Sequence, residues 1–335
     1  MSGIFQTLLS SFSSWIISIA VATYNTPYVS AYPWSSGFGT KYANPSTSVG
    51  GVGRGVTFNS AGTAIAVAQD ATPFVSAYPW SAGFGTKYAN PSTLPAGDGR
   101  GATFNPAGTA IAVAHSTAPY ISVYPWSAGF GTKYANPSTL PTGSGTGVAF
   151  NPAGTAIAIS TFATSPYISV YPWSAGFGTK YANPSTLPTG NGGGVTFNPA
   201  GTAIAIAHDT APYISVYPWS AGFGTKYANP STLPAGDGRG ATFNPAGTAI
   251  AVAHGTTPYI SVYPWSAGFG TKYANPSTLP VNCPNVAFNS DGTAIAVPSQ
   301  SSPYILTYPW SAGFGTKYAD PSTLPAALGL EVAFS

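Results

Sequence analysis

Apolar and polar residues alternate in short bursts along this chain. Thr109 to His115 reads Thr-Ala-Ile-Ala-Val-Ala-His, a period of two that puts Ile111 and Val113 on one face of a strand and alanines on the other. A bare alanine face lets a neighbouring sheet come close and calls for bulky side chains opposite it. Ala102-Thr103-Phe104 precedes this strand, and Tyr120 to Trp126, rich in β-branched and aromatic residues, follows it; both read as strands. Between the first two lies Asn105-Pro106-Ala107-Gly108. Asn at the first position, Pro at the second and Gly at the fourth is the signature of a type I turn. Ser127-Ala128-Gly129 then turns the chain into a fourth expected strand, Phe130 to Tyr134, which Asn136-Pro137-Ser138 ends. Pro and Gly punctuate the chain at roughly ten-residue intervals, which leaves no room for a long helix.

This unit recurs. Tyr-Pro-Trp-Ser occurs seven times, with tryptophans at 34, 80, 126, 173, 219, 265 and 310, at intervals of 46, 46, 47, 46, 46 and 45 residues. A period of about 40–45 residues is that of a four-stranded propeller blade, and shorter helical repeats fit it less well. The pattern therefore predicts an all-β fold, a seven-bladed β-propeller of four-stranded antiparallel blades. The chain ends in Val332-Ala333-Phe334-Ser335, a first-strand sequence with nothing after it, and opens from about Trp15 with a second-strand sequence. The C-terminal strand is thus expected to complete the blade begun by the N-terminal strands, which removes the edges an open array would expose. Phe12 stands at first-strand phase too and competes for the same slot. The expected organisation is an arm over residues 1–14 and one propeller domain over 15–335.

Val148-Ala149-Phe150-Asn151-Pro152-Ala153-Gly154, followed by an Ala/Ile strand and then Ile168-Ser169-Val170-Tyr171, resembles the strand–turn–strand core of WD40-type propeller repeats. Tyr171-Pro172 stands where that family has its Trp-Asp pair, and no Gly-His pair opens the repeat. The polar Asp–His–Ser/Thr–Trp network of such blades is therefore not carried over, and the resemblance implies a WD40-like scaffold without it.

Composition narrows the function. Only 5% of the 335 residues are charged, against about 25% in ordinary soluble domains. The 44% apolar and 14% aromatic content argues against disorder. Ten cations and a net charge of +3 make a poor nucleic-acid reader, so no nucleic-acid partner is expected. Cys283 is the sole cysteine, which excludes an intrachain disulfide framework and a multi-cysteine metal site. Residues 1–22 end in Ala20-Val21-Ala22 like a cleavage site, but no Lys or Arg precedes Lys41, and serines interrupt the stretch. Neither a cleaved signal peptide nor a membrane span is expected.

The copies differ from one another mainly in two loop sets, which a propeller places on one face. That face collects Arg54, Arg100, Arg239, His115, His208, His254, Cys283, Asp70, Asp98, Asp209 and Asp237. Loops on a rigid scaffold are where binding chemistry usually sits. The expected partner-binding set is Asp70, Asp98, Arg100, His115, Asp209, Asp237, Arg239 and His254, with drift in solvent loops as the alternative. Asp98 with Arg100, and Asp237 with Arg239, read as local loop pairs. The three histidines share one repeat position on separate blades, too far apart to hold one metal ion. Stretches such as Gly190-Asn191-Gly192-Gly193-Gly194 lack the Gly-Lys-Ser/Thr ending of a phosphate loop and read as turns. One lysine per repeat, Lys41 to Lys317, reads as protection of the outer strand edge. No catalytic residue, metal or cofactor is expected. The resulting expectation is a non-enzymatic scaffold, a decoration or tail-associated protein on a virion or another extracellular surface, with capsid or tail proteins as partners. A multivalent carbohydrate-binding propeller on surface glycans is the second reading, and an enzyme working in the central channel the third.

Overall fold

The computed structural model describes residues 17–335. They form seven antiparallel sheets arranged as the blades of a closed propeller, each with an inner, a middle and an outer strand. Blades 2 and 3 are Gly53–Phe58, Ala64–Gln69, Val75–Pro79 and Gly99–Phe104, Ala110–His115, Ile121–Pro125. Blades 4 and 5 are Ser144–Phe150, Ala156–Phe162, Ile168–Pro172 and Gly192–Phe197, Ala203–His208, Ile214–Pro218. Blades 6 and 7 are Gly238–Phe243, Ala249–His254, Ile260–Pro264 and Ala287–Phe288, Ala294–Pro298, Ile305–Pro309. Blade 1 joins the two chain ends: Ile17–Thr23 and Val29–Trp34 are its middle and outer strands, and Gly329–Phe334 pairs antiparallel with the former as its inner strand, Val21 opposite Val332. The C-terminal strand thus fills the slot assigned to it. The arm expected over residues 1–14, and Phe12 with it, lies outside the described residues.

The expected fourth strand is not a strand. After each Trp the chain makes a single bridge, Trp126 with Phe130 in blade 3, and then runs as irregular chain along the outer strand. The reason is local. Pro125 in the outer strand has no N–H to give a ladder. A Cβ at Gly131 would lie 3.0 Å from the Pro125 ring, so the two segments are already in contact. Two backbone bonds, Gly131 N–H to Pro125 O at 2.8 Å and Tyr134 N–H to Val123 O at 2.9 Å, hold the corner without continuing the sheet. The lysines therefore sit in this irregular corner, not on a strand; Lys87 donates to Asn90 Oδ1 at 2.7 Å, and partial burial lowers its pKa.

Alanine faces and bulky faces meet between blades as the pattern demands. Ala110, Ala112 and Ala114 of blade 3 pack against Phe150, Ile157, Ile159, Tyr171 and Trp173 of blade 4. Each of the seven Tyr-Pro-Trp-Ser tryptophans gathers three edge-on aromatic neighbours. Trp126 meets Phe104 at 5.1 Å, Phe130 at 5.2 Å and, from the preceding blade's corner, Tyr88 at 5.2 Å. A tyrosine on each outer strand reaches back to the preceding blade: Tyr124 Oη donates to Thr93 O at 2.8 Å, and Tyr32 Oη donates to Thr323 O at 2.9 Å across the chain closure. Tyr124→Phe is expected to cost about 1 kcal/mol in chemical denaturation, the net worth of one such bond. No measurable cost would mean that these hydroxyls do not tie the blades together.

The Asn-Pro-Ala-Gly turns form as read. Gly108 N–H donates to Asn105 O at 2.9 Å with Gly108 at φ +67°, and Asn105 Oδ1 accepts from Thr109 and Ala110 N–H at 2.8 and 2.9 Å. These turns close the face opposite the variable loops. Among the described residues no helix is long and apolar enough to cross a membrane.

Candidate active site

The inner strands line a central channel whose cavity measures about 650 Å³. Counting back from the Phe near the end of each inner strand shows how its wall is built. Three residues before it, five blades carry glycine: Gly55, Gly101, Gly147, Gly194 and Gly240. Glycine is required by close approach. A Cβ on Gly55 would lie 3.0 Å from the Gly101 Cα, and one on Gly194 would lie 3.1 Å from the Gly240 Cα. The same position in blade 7 is Asn285 and in blade 1 is Glu331. Four residues before the Phe, blades 2, 3 and 6 carry Arg54, Arg100 and Arg239, while blade 4 has Thr146 and blade 5 Gly193. All of these except Gly240 line the cavity.

The distribution of charge is therefore lopsided. The chain has seven lysines, all at outer corners, and its three arginines and its one glutamate all line the channel. Among the described residues only two ion pairs form, Arg54 with Asp70 at 3.2 Å and Lys317 with Asp320. Arg100 and Arg239 thus face the channel without a carboxylate partner; Arg239 Nη1 donates to the neutral Asn282 Oδ1 at 2.6 Å. Glu331 accepts a hydrogen bond from Asn285 Nδ2. Burial in the channel wall is the main influence on its carboxyl and pushes it up to about 8, while the Asn285 and Val332 donors pull the other way. With three arginines against Asp98 and Glu331, the mouth as a whole is positive.

The residues expected to bind a partner divide into three groups. Asp98, Arg100 and Arg239 line the channel mouth. Asp70, Asp209 and Asp237 lie outside it: Asp70 pairs with Arg54, Asp209 accepts from Asn191 N–H at 3.0 Å and Asn191 Nδ2 at 2.7 Å, and Asp237 is exposed. His115 and His254, with His208, are fully buried and offer no surface to a partner. Neither Asp98–Arg100 nor Asp237–Arg239 forms the expected loop pair. Asp98 and Asp237 lie just before the inner strands that carry Arg100 and Arg239, and Arg54 shows another route to a partner, reaching Asp70 in the middle–outer loop of its own blade.

The histidines serve the fold. His115 Nδ1 lies 2.8 Å from Thr117 O and Nε2 lies 3.0 Å from Ser122 Oγ. A carbonyl only accepts, so Nδ1 carries the proton and Nε2 accepts from the serine. His208 and His254 repeat this with Thr210 and Ser215, and with Thr256 and Ser261. In blade 2 Gln69 makes the same two bonds, donating to Ala71 O at 3.0 Å and accepting from Ser76 Oγ at 2.8 Å. Cys283 is buried, and burial pushes its thiol up, away from the reactive thiolate. Among the described residues no group of three or more His, Cys, Asp or Glu could hold a metal ion.

Asn285 and Glu331 escaped the reading of the sequence. A signal was present: Glu331 is the chain's one glutamate, and steps of 46 residues from Arg239 lead to Asn285 and then to it.

No family model and no curated protein matches the chain. Solved structures do resemble it. A candidate 6-phosphogluconolactonase from Bacteroides fragilis superposes with a TM-score of 0.75 at 13% identity, covering 97% of this chain and 99% of that one. Its counterpart from Bacteroides uniformis gives 0.71 at 14% identity, covering 95% and 99%. The periplasmic gluconolactonase of Pseudomonas aeruginosa gives 0.73 at 14% identity, covering 95% and 98%. What is shared at such identity is the seven-bladed propeller itself. These propellers are named as lactonases, and neither WD40 membership nor a virion role draws support from them. The expectation of a non-enzymatic virion scaffold, with surface glycans as the second target, is corrected accordingly.

Proposed function

We propose that this chain is a lactonase that opens a sugar lactone at the arginine-lined mouth of its channel. One observation carries the reading: every arginine and the single glutamate of a nearly uncharged chain line one cavity. The names of the similar propellers supply the substrate class. Ester hydrolysis needs a group that moves a proton and a positive field where negative charge develops. Ionised Glu331 takes a proton from water as the water oxygen bonds to the lactone carbonyl carbon. The displaced carbonyl electrons rest on an oxygen facing Arg100 and Arg239. When the tetrahedral adduct collapses, the bond to the ring oxygen breaks and Glu331 returns the proton to that oxygen. The resulting hydroxy acid gives its own proton to solvent.

The test is proton release from gluconolactone and 6-phosphogluconolactone, measured above the spontaneous rate. Activity is expected to climb with pH toward about 8 as Glu331 ionises. Glu331→Gln should lower kcat about 100-fold or more, the usual range for a lost general base. Arg100→Ala should lower kcat/KM, more so for the phosphorylated lactone. A wild-type rate no faster than buffer on either compound overturns the reading.

A further inference from the structure

We infer that Asn285 is a positioning residue that fixes the carboxyl of Glu331 in the channel wall and sets its readiness to ionise. The inference rests on the lactonase reading for its catalytic meaning, but its geometry stands alone.

Asn285 and Glu331 are the two side chains that replace glycine at the channel-wall position three residues before the inner-strand Phe. They occupy adjacent blades and touch each other. The amide cannot be turned round without loss. Its Oδ1 accepts from Val286 N–H at 2.6 Å, so the NH₂ end is the one presented to Glu331. Behind it, the place a Cβ would take on Gly240 lies 2.6 Å from Asn285 Oδ1 and 2.9 Å from its Cα, so the glycine of blade 6 leaves the room that Asn285 fills. Asn285 is thereby held between Gly240, Val286 and Glu331. It donates to Oε1, the one side-chain hydrogen bond this carboxyl receives among the described residues.

A neutral donor on one oxygen favours the carboxylate, against the burial that favours the acid. The other charged groups lining the channel are Arg54 from blade 2, Arg100 and Asp98 from blade 3, and Arg239 from blade 6. None of them lies within ion-pair distance of Glu331, so Asn285 is its one side-chain partner among the described residues.

Glu331 is the chain's sole glutamate, so labelling glutamate with ¹³C at Cδ gives one carboxyl resonance. In the full-length protein without substrate, that resonance is expected to titrate near 8. Asn285→Gly, which installs the residue five other blades carry, should move the midpoint up by about one pH unit, the worth of a hydrogen bond to a charged group. Asn285→Gln keeps a donor on a longer arm and should shift it less. The rising, low-pH limb of the activity profile should move with the resonance, with KM changed little. An unshifted midpoint in folded Asn285→Gly, or a wild-type midpoint near 4, overturns the inference. A wild-type protein that titrates as expected but opens no lactone refutes the proposed function and leaves the positioning role in place.

Discussion

Acidification from pH 6.5 to 4 will cost this protein about 9 kcal/mol of folding stability through three buried histidines, about 3 kcal/mol from each. The cause is chiefly burial, which pushes His115, His208 and His254 down to about 4 from the ordinary 6.5. Each imidazole donates from Nδ1 to a threonine carbonyl and accepts at Nε2 from a serine. Protonation turns the accepting nitrogen into a second donor and buries a charge that only His208 has a nearby carboxylate, Asp209, to offset. A folded-state pKa below the unfolded one favours the neutral ring in the fold. The contribution is therefore complete above pH 6.5 and is lost as pH falls toward 4. A domain of ordinary stability holds about 5–15 kcal/mol in all, so acid should unfold this one as the three histidines take up protons.

The control is already built into the chain. Gln69 makes the same pair of hydrogen bonds in blade 2 and has no proton to gain. The triple variant His115→Gln, His208→Gln, His254→Gln should match wild type at pH 7.5 and keep most of its stability at pH 4.5, read by urea denaturation at each pH. Equal acid midpoints for the two proteins would show that the histidines are not what acid attacks. Blades 1 and 4 show what the site loses without a long acceptor. Thr23 and Thr161 stand there, and Ser30 and Ser169, on the outer strands of those blades, are left with buried hydroxyls that bond nothing among the described residues.

What could be read from sequence was what repeats. Alternating Ile and Ala fixes which face meets which blade, because one face needs bulk and the other needs its absence. The Asn-Pro-Ala-Gly turn carries its own geometry. The fourth strand failed because Pro125 and Gly131 both look permissible at a strand end; their contact appears only once the corner folds. The histidines were misplaced for a related reason. A polar residue closing an apolar strand looks solvent-facing until the loop beyond it folds back and supplies a carbonyl. The channel site was harder to see because it departs from the repeat. Glycine in five copies reads as a backbone requirement, and Asn285 and Glu331 align with it only when counted from the following Phe, since blade 7 is one residue short and Glu331 belongs to a blade begun some 300 residues earlier.

That last strand also sets the largest structural prediction. Removing residues 329–335 takes the inner strand from blade 1 and opens the ring. Five registered pairs with the middle strand are lost, from Ile19–Phe334 to Thr23–Gly329. So is Val332, which is 3% exposed between the sheets of blades 1 and 7, and the contact of Phe334 with Trp34 at 5.5 Å. Burial of one large apolar side chain is worth about 1.5–3 kcal/mol, and two go at once. The middle strand of blade 1, buried along nearly its whole length, would present an unpaired apolar edge to water and to other chains. Because the seven interfaces close on one another, the loss also loosens the blade 7–blade 1 and blade 1–blade 2 contacts, which no neighbour can replace. The truncated chain is expected to aggregate or to lose its cooperative urea transition, while Glu331→Gln, which removes the charge but leaves the strand, should retain that transition. A truncated protein that stays monomeric and unfolds at the wild-type midpoint would mean that the ring does not depend on joining its two ends.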